Sequence, residues 1–161
     1  MRTVFFLSIV VGLSLLGSPT LIEACSCGPN YPPSVLDQYN RVDAAFTGIV
    51  ISVRTHETFT GFDDVEFLVT GVWKGVSTPV VHVLTSKGFG SCGIPFYLFL
   101  NLEFVVYADA DWIYPSGPLS THLCTRTTGV EDAQEDFEVL GSPYSIPVEE
   151  SAWGTIKALY E

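Results

Sequence analysis

Residues 44–54 read AAFTGIVISVR, a stretch of apolar and β-branched side chains that predicts a buried β-strand. Residues 64–73 (DVEFLVTGVW) alternate between polar and apolar side chains, so they predict a second strand, which the Lys74–Gly75 pair ends. Three further stretches have strand composition: residues 79–85 (PVVHVLT), 104–108 (FVVYA) and 119–125 (LSTHLCT). Five short strands predict an all-β domain, and both a small closed or half-closed barrel and a two-sheet sandwich accommodate them.

Two helical patterns flank the strands. Ser34 precedes residues 35–39 and is placed to cap a short helix there. Residues 131–140 (EDAQEDFEVL) predict a second helix, because an acidic first turn suits the helix dipole and Gly141 supplies a C-terminal stop. The predicted fold is therefore all-β with flanking helices.

The C-terminal end has a different character from the domain. Residues 142–147 (SPYSIP) have the composition of a linker, and residues 148–160 predict a terminal helix. We therefore expect one domain over residues 25–141, followed by a linker and short C-terminal tail over residues 142–161.

The chain begins with the features of a secretory signal peptide. Arg2 supplies a positive charge, residues 4–16 (VFFLSIVVGLSLL) are mostly apolar, and Ala24 is a small residue before Cys25. The apolar run is shorter than the roughly 20 residues that span a bilayer. We expect residues 1–24 to be removed and the protein to be secreted, either extracellular or periplasmic. An uncleaved anchor and a lipid on Cys25 are the alternatives.

The chain is strongly acidic, with 18 acidic and 7 basic residues and a formal net charge of −11. The predicted signal peptide carries one charge of each sign, Arg2 and Glu23, so its removal leaves the net charge at −11. A surface this acidic repels phosphate backbones, so nucleic acid is excluded as a partner. After signal removal we also expect no membrane span.

Four cysteines, all beyond the predicted signal peptide, indicate two disulfides formed in an oxidising compartment: Cys25, Cys27, Cys92 and Cys124. A bond between Cys25 and Cys27 would close a small, strained ring, which disfavours one of the three pairings. The other two pairings both fasten the N-terminus to the body of the domain.

Six short motifs occur in an order that matches a known family. They are Cys25-Ser26-Cys27, Phe46-Thr47-Gly48, Val72-Trp73-Lys74-Gly75, Cys92-Gly93, Val106-Tyr107-Ala108 and residues 121–127 (THLCTRT). In this order and cysteine spacing the chain resembles the netrin-like module, and within it the tissue inhibitors of metalloproteinases. The resemblance implies a five-stranded OB-type closed barrel with the pairs Cys25–Cys92 and Cys27–Cys124.

The resemblance also implies a function for the mature N-terminus. In those inhibitors the backbone amine and carbonyl of the first cysteine, here Cys25, chelate the catalytic zinc of a metalloprotease. Ser26 would enter the specificity pocket, and Cys27, Gly28 and Pro29 would continue along the protease cleft. The implied partner is a zinc metalloprotease, and Cys25 would bind only that partner's metal.

Some features depart from the family. Its further cysteines and separate C-terminal domain have no counterpart, and residues 98–102 (LFLNL) are apolar where a glycine-containing turn is expected. From the residues alone, Cys25 and Cys27 can simply fasten the N-terminus. The alternative function is a non-inhibitory extracellular or envelope binding module of the same fold.

No set of side chains predicts an enzyme or a bound cofactor. The histidines lie on separate predicted elements, the paired carboxylates flank predicted turns, and two tryptophans have the character of core or rim aromatics. These residues are His56, His82, His122, Asp63, Asp64, Asp109, Asp111, Trp73 and Trp112.

Overall fold

A computed structural model describes residues 25–110 and 118–146. The elements are α1 (Val35–Arg41), β1 (Ala44–Thr55), β2 (Phe62–Lys74), β3 (Val80–Ser86), β4 (Glu103–Ala108), β5 (Thr128–Gly129) and α2 (Gln134–Leu140), with 3-10 turns at Phe89–Ser91, Phe96–Leu98 and Val130–Asp132. The predicted signal peptide, Asp111, Trp112 and the predicted terminal helix lie outside the described residues. Within the described ranges, no helix is long and apolar enough to cross a membrane.

The strands form one antiparallel sheet in the order β3-β2-β1-β4-β5. Strand β1 lies at the centre because its apolar side chains are buried on both faces of the sheet. Phe46 belongs to the larger core, which includes Phe67 and Phe96. Its neighbour Ala45 faces the opposite side and packs with Tyr107 in a second core. Helix α2 covers this second core.

The closed barrel that the resemblance implies is not supported, because the sheet is open. Its edge strands β3 and β5 do not pair with each other in the described part of the chain. The two sides are connected at Ser120, which bridges to Leu84 of β3 and to Asp109 after β4. Strand β5 has only two residues, and they pair with β4, so β5 is too short to form a second ladder that would close the sheet.

The first four strand predictions match β1 to β4 to within two residues at each end. The fifth, residues 119–125, is wrong, because that segment turns after Ser120 and the strand lies later, at β5. Threonine hydroxyls explain the turn. Thr125 Oγ1 donates to the His122 carbonyl at 2.8 Å, and the hydroxyls of Thr121 and Thr125 bond to each other at 3.0 Å. Such bonds compete with a strand ladder.

Both predicted helices in the described residues form, with shifted bounds. Ser34 caps α1 by accepting the Asp37 backbone N–H at 3.2 Å, and the helix continues two residues beyond its predicted end, to Arg41. The second helical stretch begins with a 3-10 turn before α2. It ends at Gly141, whose φ of 74° is the left-handed conformation that glycine adopts most readily.

The beginning of the predicted linker packs on the domain. Tyr144 pairs with Val72 of β2 through backbone hydrogen bonds of 2.8 and 3.0 Å. Pro143 covers Gly71 so closely that a Cβ there would lie 2.6 Å from its Cγ. Ile146 packs against the larger core. Residues 142–146 therefore lie against β2 as part of the folded unit.

Candidate functional site

Two disulfides fasten the N-terminal segment, defined here as residues 25–33. Cys25 is bonded to Cys92, in the loop after β3, and Cys27 to Cys124, in the turn that follows Ser120. This is the pairing that the resemblance implies. Because the bonds join the segment to two different loops, they fix both its position and its direction on the domain.

The two disulfides lie side by side. The sulfur atoms of Cys25, Cys92 and Cys124 are within 4.8 Å of one another. All four cysteines are oxidised, so these sulfurs are not available as thiolate ligands for a metal ion. In the described ranges no other group of histidine, cysteine and acidic side chains converges in this way.

The structure brings the five predicted contact residues together as one accessible stretch. Cys25 and Cys27 are half-buried by their bonds, whereas Ser26, Gly28 and Pro29 are exposed. Among the described residues, the hydrogen-bond partner of the Ser26 hydroxyl is the neighbouring Cys27 carbonyl, at 3.4 Å. The segment is thus anchored at alternate residues and open to a partner at the residues between.

A third anchor holds the far end of the segment, and sequence reasoning did not identify it. The Arg126 guanidinium donates to the Pro33 carbonyl at 2.8 Å. It also pairs with Asp136 at 3.0 Å and with Glu135 at 2.8 Å. The hydrogen bond to Asp136 is the main cause that raises the pKa of Arg126, so the guanidinium stays charged.

The Asp136 carboxylate is buried, with a side-chain exposure of 1%. Its second donor is the Tyr107 hydroxyl, at 2.5 Å. Burial, followed by this hydrogen bond, raises the pKa of Tyr107 above its ordinary range. The phenol therefore stays protonated and keeps donating to the carboxylate. Tyr107, Asp136 and Arg126 form a continuous path from the second core to the N-terminal segment.

Beneath the N-terminal segment lies a group of three cavities that share the side chain of Arg41 as a wall; we call this group the Arg41 cleft. Its cavities measure about 310, 520 and 130 Å³. The polar side chains around it belong to Asn30, Tyr31, Ser34, Asp37, Gln38, Asn40, Asp109, Ser120, His122 and Thr125.

Of the three histidines considered in the sequence analysis, His122 lies beside the N-terminal segment. Its Nδ1 accepts the Cys124 backbone N–H at 3.1 Å, which assigns the ring proton to Nε2 in the neutral imidazole. Burial lowers the pKa of His122, although Asp109 opposes the shift. The ring is therefore neutral at pH 7 and adds no positive charge to the Arg41 cleft.

The other two histidines lie elsewhere, around the β1–β2 turn and on β3. His56 Nδ1 accepts the backbone N–H groups of Thr58 and Phe59 at 3.2 and 3.1 Å, so it stabilises a turn. His82 bonds to Asp64 across the β2–β3 pair at 3.0 Å. Neither histidine lines the Arg41 cleft.

The remaining candidates have structural contacts. Asp63 lies 4.0 Å from Lys87, and the Asp109 backbone pairs with that of Ser120. Trp73 packs on Phe137 with a ring-centroid distance of 5.4 Å. Its indole N–H donates to the Gly141 carbonyl at 2.8 Å. Trp73 thus fastens α2 to the sheet, in agreement with its interpretation as a core-rim aromatic.

Comparison with known proteins adds no relative. No protein-family model matches the chain, and no curated protein matches it.

Proposed function

We propose that this protein is a secreted, netrin-like inhibitor of a zinc metalloprotease that acts through its N-terminal segment. One observation carries the proposal. Cys25 and Cys27 are bonded to two different loops, while Ser26 between them stays exposed. A segment held in this way loses little conformational freedom when it enters a cleft, so less of the binding free energy is spent on ordering it.

The chemistry of inhibition follows from cleavage after Ala24, which would free the α-amine of Cys25. The amine nitrogen and the carbonyl oxygen of one residue form a five-membered ring on a metal ion. A catalytic zinc keeps one coordination position for water or substrate. The chelate would occupy that position and displace the water that attacks the peptide bond.

The residues after Cys25 would supply the remaining contacts. Ser26, whose hydroxyl bonds to the Cys27 carbonyl within the described part of the chain, would enter the pocket beside the zinc. Gly28 and Pro29 are exposed and would continue along the cleft of the protease. In this arrangement the protein contributes a metal ligand and a shape to the complex, and it catalyses no reaction itself.

A second candidate function is a binding module that does not inhibit a protease. The observation in its favour is the loop before β4, where four large apolar side chains are 48 to 61% exposed: Tyr97, Leu98, Leu100 and Leu102. Exposed apolar side chains that are close together often mark protein-binding surfaces. In this case the N-terminal disulfides would serve only stability.

The two candidates are separated by an alanine inserted before Cys25. Intact mass first establishes whether the secreted protein begins at Cys25 with a free amine. The native and extended proteins are then tested against a panel of zinc metalloproteases. We expect the native protein to inhibit at least one and the extended protein to lose that inhibition, with unchanged disulfides and melting temperature. Equal inhibition by both proteins contradicts the chelate, and no inhibition by either contradicts the proposed function.

A further inference from the structure

We propose that the Arg41 cleft is a second binding site, which takes a side-chain carboxylate of a partner protein. This inference goes beyond the proposed function, because it does not depend on whether Cys25 binds zinc. Four of the five basic side chains in the described ranges have a partner: Arg54 with Glu66, Lys87 with Asp63, Arg126 with Asp136, and Lys74 with the Tyr39 carbonyl.

Arg41 is the exception. In the described part of the chain no carboxylate oxygen lies within 4.0 Å of its guanidinium. The acid one helical turn earlier, Asp37, is engaged at the start of α1, where it accepts the Ser34 hydroxyl at 2.7 Å. An unpaired guanidinium is unexpected in a chain with a net charge of −11, where acidic partners are abundant.

The simplest explanation for Arg41 is its favourable place in the last turn of α1, where a cation suits the helix dipole. The helix dipole explains why a positive charge is favourable at this position, but it does not explain the cavities around the side chain. Arg41 borders all three cavities of the cleft. Among the described residues, the side-chain amides of Asn30 and Asn40 also have no hydrogen-bond partner, so they add free donors on the same walls.

The hydrogen-bond donors and the charge on the walls of the Arg41 cleft indicate which class of ligand it binds. A guanidinium presents two parallel N–H groups that match the two oxygens of a carboxylate. His122 is neutral at pH 7, so Arg41 is the only positive charge on the described walls of the cleft. The 310 Å³ cavity, which borders the N-terminal segment, has no acidic side chain on its described walls, because Asp37 and Asp109 line the other two cavities. In that cavity the one charge of Arg41 balances a carboxylate, whereas a phosphate dianion or a polyanion would be left unbalanced and repelled by the two neighbouring acids and the acidic domain.

The position of the cleft indicates the source of the carboxylate. One wall is the N-terminal segment itself, from Cys27 to Tyr31. A macromolecule that contacts Gly28 and Pro29 would therefore bring its own side chains to the cleft. An aspartate or glutamate there would pair with Arg41, and this pair would fix the orientation of the partner along the segment.

The test uses the disulfide-intact protein labelled with ¹⁵N and the probe N-acetyl-glutamate-N-methylamide. We expect saturable NMR shifts at Asn30, Tyr31 and His122. The glutamine analogue and inorganic phosphate should bind at least about tenfold more weakly, because each lacks the matching single charge. The R41Q variant should lose the shifts, while R54Q, which removes an equal charge from an ion pair on β1, should keep them.

Three results would overturn the inference. Shifts that persist in R41Q would show that Arg41 is not the ligand. Equal binding of the glutamine analogue would show that the charge is not recognised, and tighter binding of phosphate would assign the cleft to another class of anion. Because R41Q alters an exposed side chain, its melting temperature should match that of R54Q, so a folding defect is distinguishable from loss of the site.

Discussion

The guanidinium of Arg126 donates to the backbone carbonyl of Pro33 across 93 residues of sequence, at 2.8 Å. The same group neutralises the buried Asp136, so one side chain connects the second core to the N-terminal segment. Its removal would leave a carboxylate with 1% exposure uncompensated.

We predict that R126Q lowers the free energy of unfolding by about 3 kcal/mol, the usual cost of breaking a buried ion pair from one side. Urea denaturation of the disulfide-intact protein measures the loss. The matched control is R54Q, because Arg54 is 67% exposed and lies 3.7 Å from its partner, so it should change stability by less than about 1 kcal/mol. Equal losses in the two variants would show that the network contributes no more than a surface pair.

The pKa of Tyr107 predicts how stability changes at high pH. In the unfolded chain a tyrosine loses its proton near pH 10. In the folded protein burial and Asp136 raise the pKa of Tyr107 above that value. The unfolded state therefore binds fewer protons above pH 10, and stability falls as pH rises, by up to about 1.4 kcal/mol per pH unit. Below pH 10 this contribution is fully present.

The measurement compares unfolding free energies of the native protein and Y107F between pH 9 and 11. The difference between the two proteins should be constant up to about pH 10 and then shrink, because only the native protein carries the shifted group. All four cysteines are in disulfides, so the native protein has no thiol that could exchange in alkali. Parallel curves throughout would contradict the prediction.

A pair of truncations tests where the folded unit ends. A chain that stops after Ile146 keeps every contact that the structure describes, so it serves as the reference. A chain that stops after Ser142 loses the Tyr144–Val72 pairing and the burial of Pro143 and Ile146. We expect it to be less stable by about 3 kcal/mol, from two backbone hydrogen bonds and the two half-buried side chains of Pro143 and Ile146. Denaturation midpoints measure the difference, and equal midpoints would show that residues 143–146 contribute nothing.

These contacts also show why the linker was expected at residue 142. Proline and serine are common in linkers, so the composition of this stretch predicts one. The pairing of Tyr144 with Val72 depends instead on the part of β2 beyond Leu68, where β3 no longer pairs with it. Strands β1 to β4 were predictable because their side-chain patterns are local. Strand β5 was not, since two residues carry no pattern.

The apolar stretch 98–102 is a similar case. The expected glycine is missing, yet the chain turns there, because Asn101 adopts a positive φ of 66°. Asparagine is one of the few residues that reach this conformation at low cost. Phe99 packs on the core while Leu98 and Leu100 are exposed, so the stretch is a turn despite its composition.

The candidate site was predictable in part. The cysteine count and spacing indicated a fastened N-terminus, and Ser26, Gly28 and Pro29 lie on it as a continuous exposed stretch. Arg41 and Arg126 carry no such signal, because their roles depend on residues distant in sequence. Only the folded structure shows that Arg41 has no carboxylate partner among the described residues while the other basic side chains there are paired.

Ser26 provides a direct test of specificity. Its side chain is exposed, and its hydrogen bond within residues 25–110 and 118–146 goes to the Cys27 carbonyl, so S26L should fold with an unchanged melting temperature and both disulfides. If Ser26 enters the pocket beside the zinc, the larger side chain should change the order in which proteases are inhibited. Shape matching in an apolar pocket is worth about 1–3 kcal/mol, so inhibition constants should shift tenfold or more in opposite directions for proteases with small and deep pockets. The control is S77L, a change of the same chemistry at another exposed serine, which should leave every constant unchanged. A uniform weakening by S26L across the panel would mean that the residue lies at the interface without selecting the protease, and no change at all would place the contact surface elsewhere.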